Sequence, residues 1–300
     1  MKVLLCGDFD AAERSQWLQA LSEAMPEAVW LDLPAARADA ARVQAAVVAN
    51  PPPGSLQGLP ALGLIQSLWA GVDRLLADPT LPANVPIARM VDPAMNAAMA
   101  QTALWAVLSL HRGYFAYARR QLAGVWQTHA QRRADEVRVL VLGQGQMGRT
   151  AAASIAQQGY ALSTWRRDGT PLATLLPAAD IVVNLLPLTA QTQGLLNRDF
   201  FAALPPKASV INLGRGAHVV DADLLAALDS GHLRHAVLDV FQTEPLPPGH
   251  AYWQHPRVTM LPHAAAGTDA RSAAAVAVAN LRAWRDGGQV LNVAERQRGY

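Results

Sequence analysis

Residues 137–148 read VRVLVLGQGQMG and are the most informative stretch of this chain. The first six residues are almost all aliphatic, and such a run predicts a strand that is buried on both faces, as in a parallel sheet. Three glycines follow at the spacing GxGxxG, and a helix is expected to begin among them. A strand, a tight glycine turn and a helix N-terminus are the three parts that hold the pyrophosphate of a dinucleotide.

Each glycine of this turn has a different predicted task. Gly143 permits the tight turn, Gly145 lets the backbone approach the pyrophosphate, and Gly148 allows the helix to pack closely on the sheet. Gln146 and Met147 lie between them, so free N–H groups at the start of the helix should face the anion. The same spacing also occurs as plain turn chemistry and in other nucleotide folds, including methyltransferases that bind S-adenosylmethionine.

Apolar runs alternate with helical patterns along the chain, which is typical of parallel α/β folds. Strands are predicted at residues 3–5, 45–48, 62–66 and 86–89, and then at 137–142, 161–165, 181–186, 210–213, 236–240 and 258–261. A long helical segment at 93–122 should link the two sets, and a helix at 269–284 should return to the first. We therefore expect a discontinuous first domain, 1–97 plus 270–300, and a dinucleotide-binding domain at 98–269.

Composition and charge exclude several classes of protein. Of the 300 residues, 51% are hydrophobic and 16% are charged, which is typical of a globular chain and not of a disordered one. The net charge of +2 is too small to indicate a nucleic-acid partner, and no apolar run is long enough to span a bilayer. Cys6 is the single cysteine, so no disulfide framework can form and we expect a cytoplasmic protein.

The cofactor preference should be set at the end of the strand that follows the glycine helix, in the sequence ALSTWRRDG. An acidic residue there would bind the adenosine ribose hydroxyls of NAD. Arg166 and Arg167 stand at that place instead, and a guanidinium can hold a 2′-phosphate by charge-assisted hydrogen bonds. The sequence predicts a preference for NADP(H), with NAD(H) as a second option. The alternative is that both arginines are exposed loop residues and Asp168 turns inward.

Three residues with the chemistry to reduce a ketone follow three of the predicted strands. Arg215 stands in NLGRG, Glu244 in DVFQTEPLP and His263 in LPHAAAGT. Because the carboxyl ends of parallel strands lie at one edge of a sheet, all three should meet there. Taken singly, each also has a structural explanation: an ion-pair partner, a turn residue before Pro245, and a packed histidine after Pro262. The other histidines show no metal-ligand spacing, so no metal site is predicted.

The order of these segments resembles that of the D-isomer-specific 2-hydroxyacid dehydrogenase family. Its signature includes an Arg-Gly after a strand, a DVF…EP segment and a Pro-His-Ala turn, in the order seen here. The similarity runs from AGVD at 70–73 through GQGQMG and LLPLTAQTQGLLN at 185–197 to Val293. Within the family, WAGVDRLL and VPIARMVDPAM most resemble segments of the glyoxylate/hydroxypyruvate reductase A group.

The resemblance implies the same roles that the chemistry of the three residues favours. His263 is the general acid that protonates the developing alkoxide, since an imidazole can carry a proton near neutral pH. Glu244 binds the other ring nitrogen, which fixes the tautomer and favours the charged imidazole. Arg215 holds the substrate with its planar guanidinium and polarises the carbonyl.

Further contacts are implied by the resemblance. Trp69, Ala70 and Gly71 would join Arg215 in binding the substrate, with the Ala70–Gly71 backbone adding N–H donors to its carboxylate. Asp239 would lie near the nicotinamide carboxamide. The path of the cofactor would be lined by Leu185, Pro187, Leu213 and Gly214. Trp126 lies in a stretch that would form a dimerisation arm, so a homodimer is expected.

We therefore expect an α/β protein of two Rossmann-like domains: a doubly wound parallel-sheet dinucleotide-binding domain and a smaller flavodoxin-like substrate domain. The expected activity is NADPH-dependent reduction of a small 2-oxoacid, glyoxylate or hydroxypyruvate, to the (R)-2-hydroxyacid or glycolate. The expected partners are this substrate and a second copy of the chain, with no nucleic acid and no membrane. The alternative is a non-catalytic dinucleotide-sensing or corepressor-type protein on the same fold, which would bind the cofactor without turning over a 2-oxoacid.

Overall fold

The computed structural model describes residues 1–300, which divide into two compact units. The first unit comprises Met1–Met95 together with Thr268–Tyr300, and the second comprises Asn96–Gly267. The chain therefore leaves the first unit once and returns to it near its end.

The first unit is built on a parallel sheet of five strands. They are Lys2–Gly7 (β1), Val29–Leu31 (β2), Val43–Ala49 (β3), Leu64–Ser67 (β4) and Ile87–Ala88 (β5). The spatial order is β2-β1-β3-β4-β5, which is the flavodoxin-like arrangement. The helices between them are Ala11–Ala24 (α1), Leu33–Ala38 (α2) and Asp73–Leu76 (α3), and Pro93–Arg112 (α4) leads out of this unit.

The second unit contains a parallel sheet of six strands. They are Arg138–Leu142 (β6), Ala161–Trp165 (β7), Ile181–Asn184 (β8), Ala208–Asn212 (β9), Leu233–Leu238 (β10) and Val258–Met260 (β11). Its helices are Tyr114–Leu122 (α5), Gln146–Ala156 (α6), Leu172–Leu175 (α7), Arg198–Ala202 (α8) and Asp221–Asp229 (α9), while Ala270–Arg285 (α10) belongs to the first unit. The spatial order is β11-β10-β9-β8-β6-β7. The strand order reverses beside β6, and α/β proteins bind ligands in the crevice at such a switch point.

The predicted fold class is confirmed, and every predicted strand overlaps an observed one. Two local features differ from expectation. β2 was not predicted, because three partly exposed residues carry no clear periodicity. The long helix expected at 93–122 is broken at Gly113, whose φ of 76° favours glycine. A Cβ there would lie 2.0 Å from Cε1 of His129, so the imidazole would have to move to admit one.

The sheet of the second unit is covered on both faces, which explains the continuous aliphatic run of β6. Val139 and Val141 pack with residues of α4 and α6 on one face. Leu140 and Leu142 pack with residues of α8 and α9 on the other. None of the helices has both the length and the apolar composition that crossing a bilayer demands.

His235, in β10, is a buried imidazole whose ring stacks on Phe115 with 4.7 Å between the ring centroids. Burial lowers the pKa of His235 to about 3, and the charges of three neighbours add to this effect: Arg119, Arg234 and His255. The folded protein therefore holds this imidazole neutral at pH values where an unfolded chain would protonate it.

We expect the free energy of unfolding to fall as the pH drops below about 6.5. Between that value and about 3 the unfolded chain binds one more proton than the folded one, which costs up to about 1.4 kcal/mol per pH unit. His235→Phe keeps the stacking and removes the titration. Relative to the variant, the wild type should lose about 2 kcal/mol between pH 7 and 5. Urea unfolding at both pH values measures this, and equal losses in the two proteins would contradict it.

Candidate active site

The glycine turn lies between β6 and α6, and its three glycines are needed for different reasons. Gly143 has a φ of 105°, and a Cβ there would lie 2.7 Å from the carbonyl oxygen of Leu185. A Cβ on Gly148 would lie 2.0 Å from the carbonyl oxygen of Gly143. Gly145 is the N-cap of α6, and no atom lies within 4 Å of the place its Cβ would occupy. An anion can therefore approach the first N–H groups of α6, which begins with Gln146.

Arg166 and Arg167 follow β7, the strand beside β6 at the edge of the sheet. Both side chains are exposed, and neither forms an ion pair within the chain. The backbone N–H of Gly169 donates to the carbonyl of Arg166 at 3.1 Å and closes a turn. Both arginines are thus exposed loop residues, as the alternative states, but Asp168 is exposed as well and does not turn inward. Two unpaired guanidiniums at this position fit the 2′-phosphate of NADP(H).

The loops after β8 and β9 bring the other predicted cofactor residues to the same edge. Leu185 and Pro187 follow β8, and Leu213 follows β9. A Cβ on Gly143 would touch the carbonyl of Leu185, and a Cβ on Gly214 would lie 3.0 Å from the carbonyl oxygen of Leu186. The glycine turn and these two loops therefore pack backbone against backbone.

His263 and Glu244 form a hydrogen-bonded pair. Nδ1 of His263 lies 2.7 Å from Oε2 of Glu244, and Oε1 of Glu244 accepts a 2.9 Å hydrogen bond from the N–H of Phe241. Nε2 of His263 makes no hydrogen bond within the chain, and the side chain is 53% exposed. The carboxylate thus orients the imidazole by one nitrogen and leaves the other open to a ligand.

The backbone of His263 adopts a φ of 53°, in the left-handed region. Asp239, the residue after β10, holds this turn. Its main-chain carbonyl accepts from the N–H of His263 at 2.9 Å, and its Oδ1 accepts from the N–H groups of Ala264 and Ala265 at 2.7 and 3.1 Å. Burial raises the pKa of Asp239 despite these hydrogen bonds. Asp239 therefore positions the turn that carries His263; its predicted contact with the nicotinamide carboxamide stays a prediction.

Arg215 lies in the loop that follows β9, and Gly216 brings this loop against the segment that leads to Glu244. A Cβ on Gly216 would lie 1.8 Å from the carbonyl carbon of Phe241, so no other residue fits. Nη1 of Arg215 donates to the carbonyl of Gly214 at 2.9 Å. The loop of Arg215 thus packs through Gly216 against Phe241, whose N–H binds Glu244. All three predicted residues, Arg215, Glu244 and His263, follow strands at their carboxyl edge.

The predicted substrate residues Trp69, Ala70 and Gly71 follow β4 in the first unit. The N–H of Trp69 donates to Oγ of Ser67 at 3.0 Å, and its ring packs edge-on to Trp17 with 6.4 Å between centroids. Ala70 and Gly71 are partly exposed, and their N–H groups donate no hydrogen bond within the chain. Such a pair of open N–H groups can receive a carboxylate.

Sequence reasoning missed three buried polar residues beneath the loops after β8 and β9. Asn184 and Asn212 end these two strands, and His218 follows Arg215 by three residues; all three side chains are 0% exposed. A signal was present, because the aliphatic strands IVVN and SVIN each end on an asparagine. Buried amides of this kind must find hydrogen-bond partners, and they find them in one another and in the adjacent loops.

The whole chain is similar to proteins of known family. Residues 104–265 match the D-isomer specific 2-hydroxyacid dehydrogenase family in its NAD binding domain. A glyoxylate/hydroxypyruvate reductase A of Yersinia enterocolitica is 35% identical over 96% of this chain and 97% of its own.

Solved structures agree with this match. A D-isomer specific 2-hydroxyacid dehydrogenase from Xanthobacter autotrophicus Py2, in complex with NADPH and MES, has a TM-score of 0.93 and 37% identity over 100% of this chain and 99% of that one. An NADPH-dependent glyoxylate/hydroxypyruvate reductase from Sinorhizobium meliloti, in complex with NADP and sulfate, has a TM-score of 0.90 and 31% identity with the same coverage. The resemblance read from the motifs is confirmed: the chain belongs to the D-isomer specific 2-hydroxyacid dehydrogenase family of NAD(P)-dependent oxidoreductases.

Proposed function

We propose that the protein is an NADPH-dependent reductase of small 2-oxoacids, which converts glyoxylate or hydroxypyruvate to glycolate or the (R)-2-hydroxyacid. The observation that carries this proposal is the His263–Glu244 pair, joined to Arg215 at the carboxyl edge of a dinucleotide-binding sheet. The relatives named glyoxylate/hydroxypyruvate reductase support the substrate class.

His263 is the general acid of the proposed reaction. Reduction of the carbonyl carbon leaves negative charge on its oxygen, and a positioned acid must supply a proton there. The open Nε2 of His263 is suited to deliver it, because Glu244 holds the ring by Nδ1 and fixes its orientation. A positioned acid of this kind contributes about 10²- to 10⁴-fold in rate.

Arg215 binds the substrate by charge. A guanidinium presents its donors in a planar fork that matches a carboxylate and an adjacent carbonyl oxygen. The open N–H groups of Ala70 and Gly71 would supply further donors from a substrate domain at 1–97 plus 270–300, which corresponds to the first unit to within two residues at each boundary. The remainder, 98–269, is assigned to the dinucleotide. Trp69 beside these donors would shape the space for the substrate side chain.

The cofactor of the proposed reaction is NADP(H). When bound, its nicotinamide supplies the hydride that reduces the substrate. Gly145 and the first N–H groups of α6, at Gln146 and Met147, would hold the pyrophosphate. Arg166 and Arg167 would hold the 2′-phosphate. The relatives solved with NADPH or NADP support this assignment. The rest of the path would be lined by Leu185, Pro187, Leu213, Gly214 and Asp239.

Removing the two exposed arginines should reverse the cofactor preference. Each charge-assisted hydrogen bond to the 2′-phosphate is worth about 1.5–3 kcal/mol, so Arg166→Ala with Arg167→Ala should raise KM for NADPH by roughly 10²-fold or more. KM for NADH should change little, because NADH has no phosphate there. Arg198→Ala removes another exposed arginine of the same unit and is the control. An unchanged ratio of the two KM values would refute this assignment.

We also propose that the protein acts as a homodimer. Leu122 and Trp126 are 90% and 101% exposed, in the stretch where the family resemblance places a dimerisation arm. Val125, between them, is exposed as well, and a contiguous group of exposed apolar side chains can mark a contact surface. Light scattering should give twice the mass of the chain for the wild type, and a lower mass for Trp126→Ser. A monomeric wild type would exclude the proposed homodimer.

The proposed function is tested by following NADPH consumption with glyoxylate, hydroxypyruvate, pyruvate and phenylpyruvate. Turnover of the first two is expected. Tight binding of NADPH without turnover of any 2-oxoacid would instead identify the protein as a non-catalytic dinucleotide sensor.

A further inference from the structure

His218 is a wholly buried imidazole with no part in the chemistry proposed above. It closes the short 3₁₀ turn Gly216–His218 directly after Arg215. Seven of the eight histidines lie outside the proposed catalytic pair, and His218 is the one that contacts both Arg215 and the cofactor-lining loop. Its hydrogen bonds show what it can do there.

The two ring nitrogens of His218 bind different loops. Nδ1 accepts from the main-chain N–H of Arg215 at 3.2 Å and from Nδ2 of Asn184 at 2.8 Å. Nε2 lies 3.3 Å from the carbonyl oxygen of Pro187, so it donates. Because Nδ1 receives two donors, the ring proton must reside on Nε2. One imidazole therefore joins the loop after β8 to the loop after β9.

The asparagines that end these strands add further hydrogen bonds around the main chain of Arg215. Nδ2 of Asn184 also donates to Oδ1 of Asn212 at 2.9 Å, and Nδ2 of Asn212 donates to the carbonyl of Arg215 at 2.9 Å. The main-chain N–H and C=O of Arg215 are thus both bound by buried side chains. A buried network with its partners in place fixes a single arrangement of the backbone.

We propose that His218 is a positioning residue for 2-oxoacid reduction: its Nδ1 fixes the Arg215 loop for the substrate, and its Nε2 fixes the Pro187 loop for the cofactor. The proposal rests on the proposed function, since it requires Arg215 to bind the oxoacid. Displacement of such a group by about 1 Å can cost on the order of 10²-fold in rate.

Two substitutions separate the two hydrogen-bonding edges of the ring. His218→Asn retains an acceptor near the position of Nδ1 and cannot reach Pro187, whereas His218→Gln retains a donor near the position of Nε2 and lacks the acceptor for Arg215. We expect His218→Gln to raise KM for the oxoacid by roughly tenfold and to change KM for NADPH by less than about threefold. His218→Asn should do the reverse, raising KM for NADPH by roughly tenfold and changing KM for the oxoacid by less than about threefold. His232→Asn, at a histidine that binds the Phe201 carbonyl instead, should change neither.

Hydrogen–deuterium exchange gives a readout that does not depend on turnover. In the protein without ligands, peptides covering 212–219 should exchange faster in His218→Gln than in His218→Asn or the wild type. Equal changes of both KM values in both variants, with equal exchange and a lowered Tm, would show a merely structural role and overturn the proposal. Should the wild type reduce no oxoacid, the proposed function fails, while the exchange pattern still decides whether His218 holds the Arg215 loop.

Discussion

His263→Ala should lower kcat for glyoxylate by about 10²- to 10⁴-fold, with little change in the binding of NADPH. The imidazole is the one group of the pair with an open nitrogen, since Glu244 occupies Nδ1 at 2.7 Å. Removing it leaves solvent as the sole proton source for the developing alkoxide. Steady-state kinetics with NADPH and glyoxylate measure the effect, and circular dichroism checks that the exposed substitution leaves the fold intact.

Glu244→Gln is the matched variant for this experiment. It keeps a side chain that can hydrogen-bond to Nδ1 and removes the negative charge, so kcat should fall by less than in His263→Ala. The N–H of Phe241 can still donate to the amide oxygen, which preserves the loop. If His263→Ala retained a tenth or more of the wild-type kcat, His263 would not be the acid.

Arg215→Ala should lower kcat/KM for glyoxylate by about 10²- to 10⁴-fold, because two charge-assisted hydrogen bonds of about 1.5–3 kcal/mol each are lost. Arg215→Lys should recover only part of this, since an ammonium cannot offer a planar fork. The main-chain contacts of Arg215 with Asn212 and His218 do not involve its side chain, so the loop should keep its conformation.

The binding of oxalate provides the control for the role of Arg215. This dianion carries the carboxylate of the substrate but cannot be reduced, so its inhibition constant reports binding alone. It should rise in Arg215→Ala and stay near the wild-type value in His263→Ala. An inhibition constant that is the same in Arg215→Ala and the wild type would exclude Arg215 as the carboxylate ligand.

Much of the fold and of the candidate site can be predicted from the sequence, because both depend on short motifs. The aliphatic run and glycines at 137–148 specify β6, the turn and α6. Arg215, Glu244 and His263 each follow a recognisable strand, and parallel topology alone brings such positions to one edge. The family is likewise carried by motifs in a fixed order.

What the sequence did not predict depends on contacts between distant residues. Asp239 is confined to a buried turn by N–H groups from a segment 25 residues away or more. The sequence around His218 does not distinguish it from other loop histidines. Its role depends on Asn184 and Asn212, which the ends of β8 and β9 place near it in the folded chain.

The roles of His263 and Arg215 can be checked in a crystal structure with NADP⁺ and oxamate, a substrate analogue that cannot be reduced. We expect Nε2 of His263 to lie about 2.6–3.2 Å from the carbonyl oxygen of oxamate and the guanidinium of Arg215 to hydrogen-bond its carboxylate. Oxamate bound away from either side chain, or held with His263 beyond the reach of one water molecule, would contradict these roles.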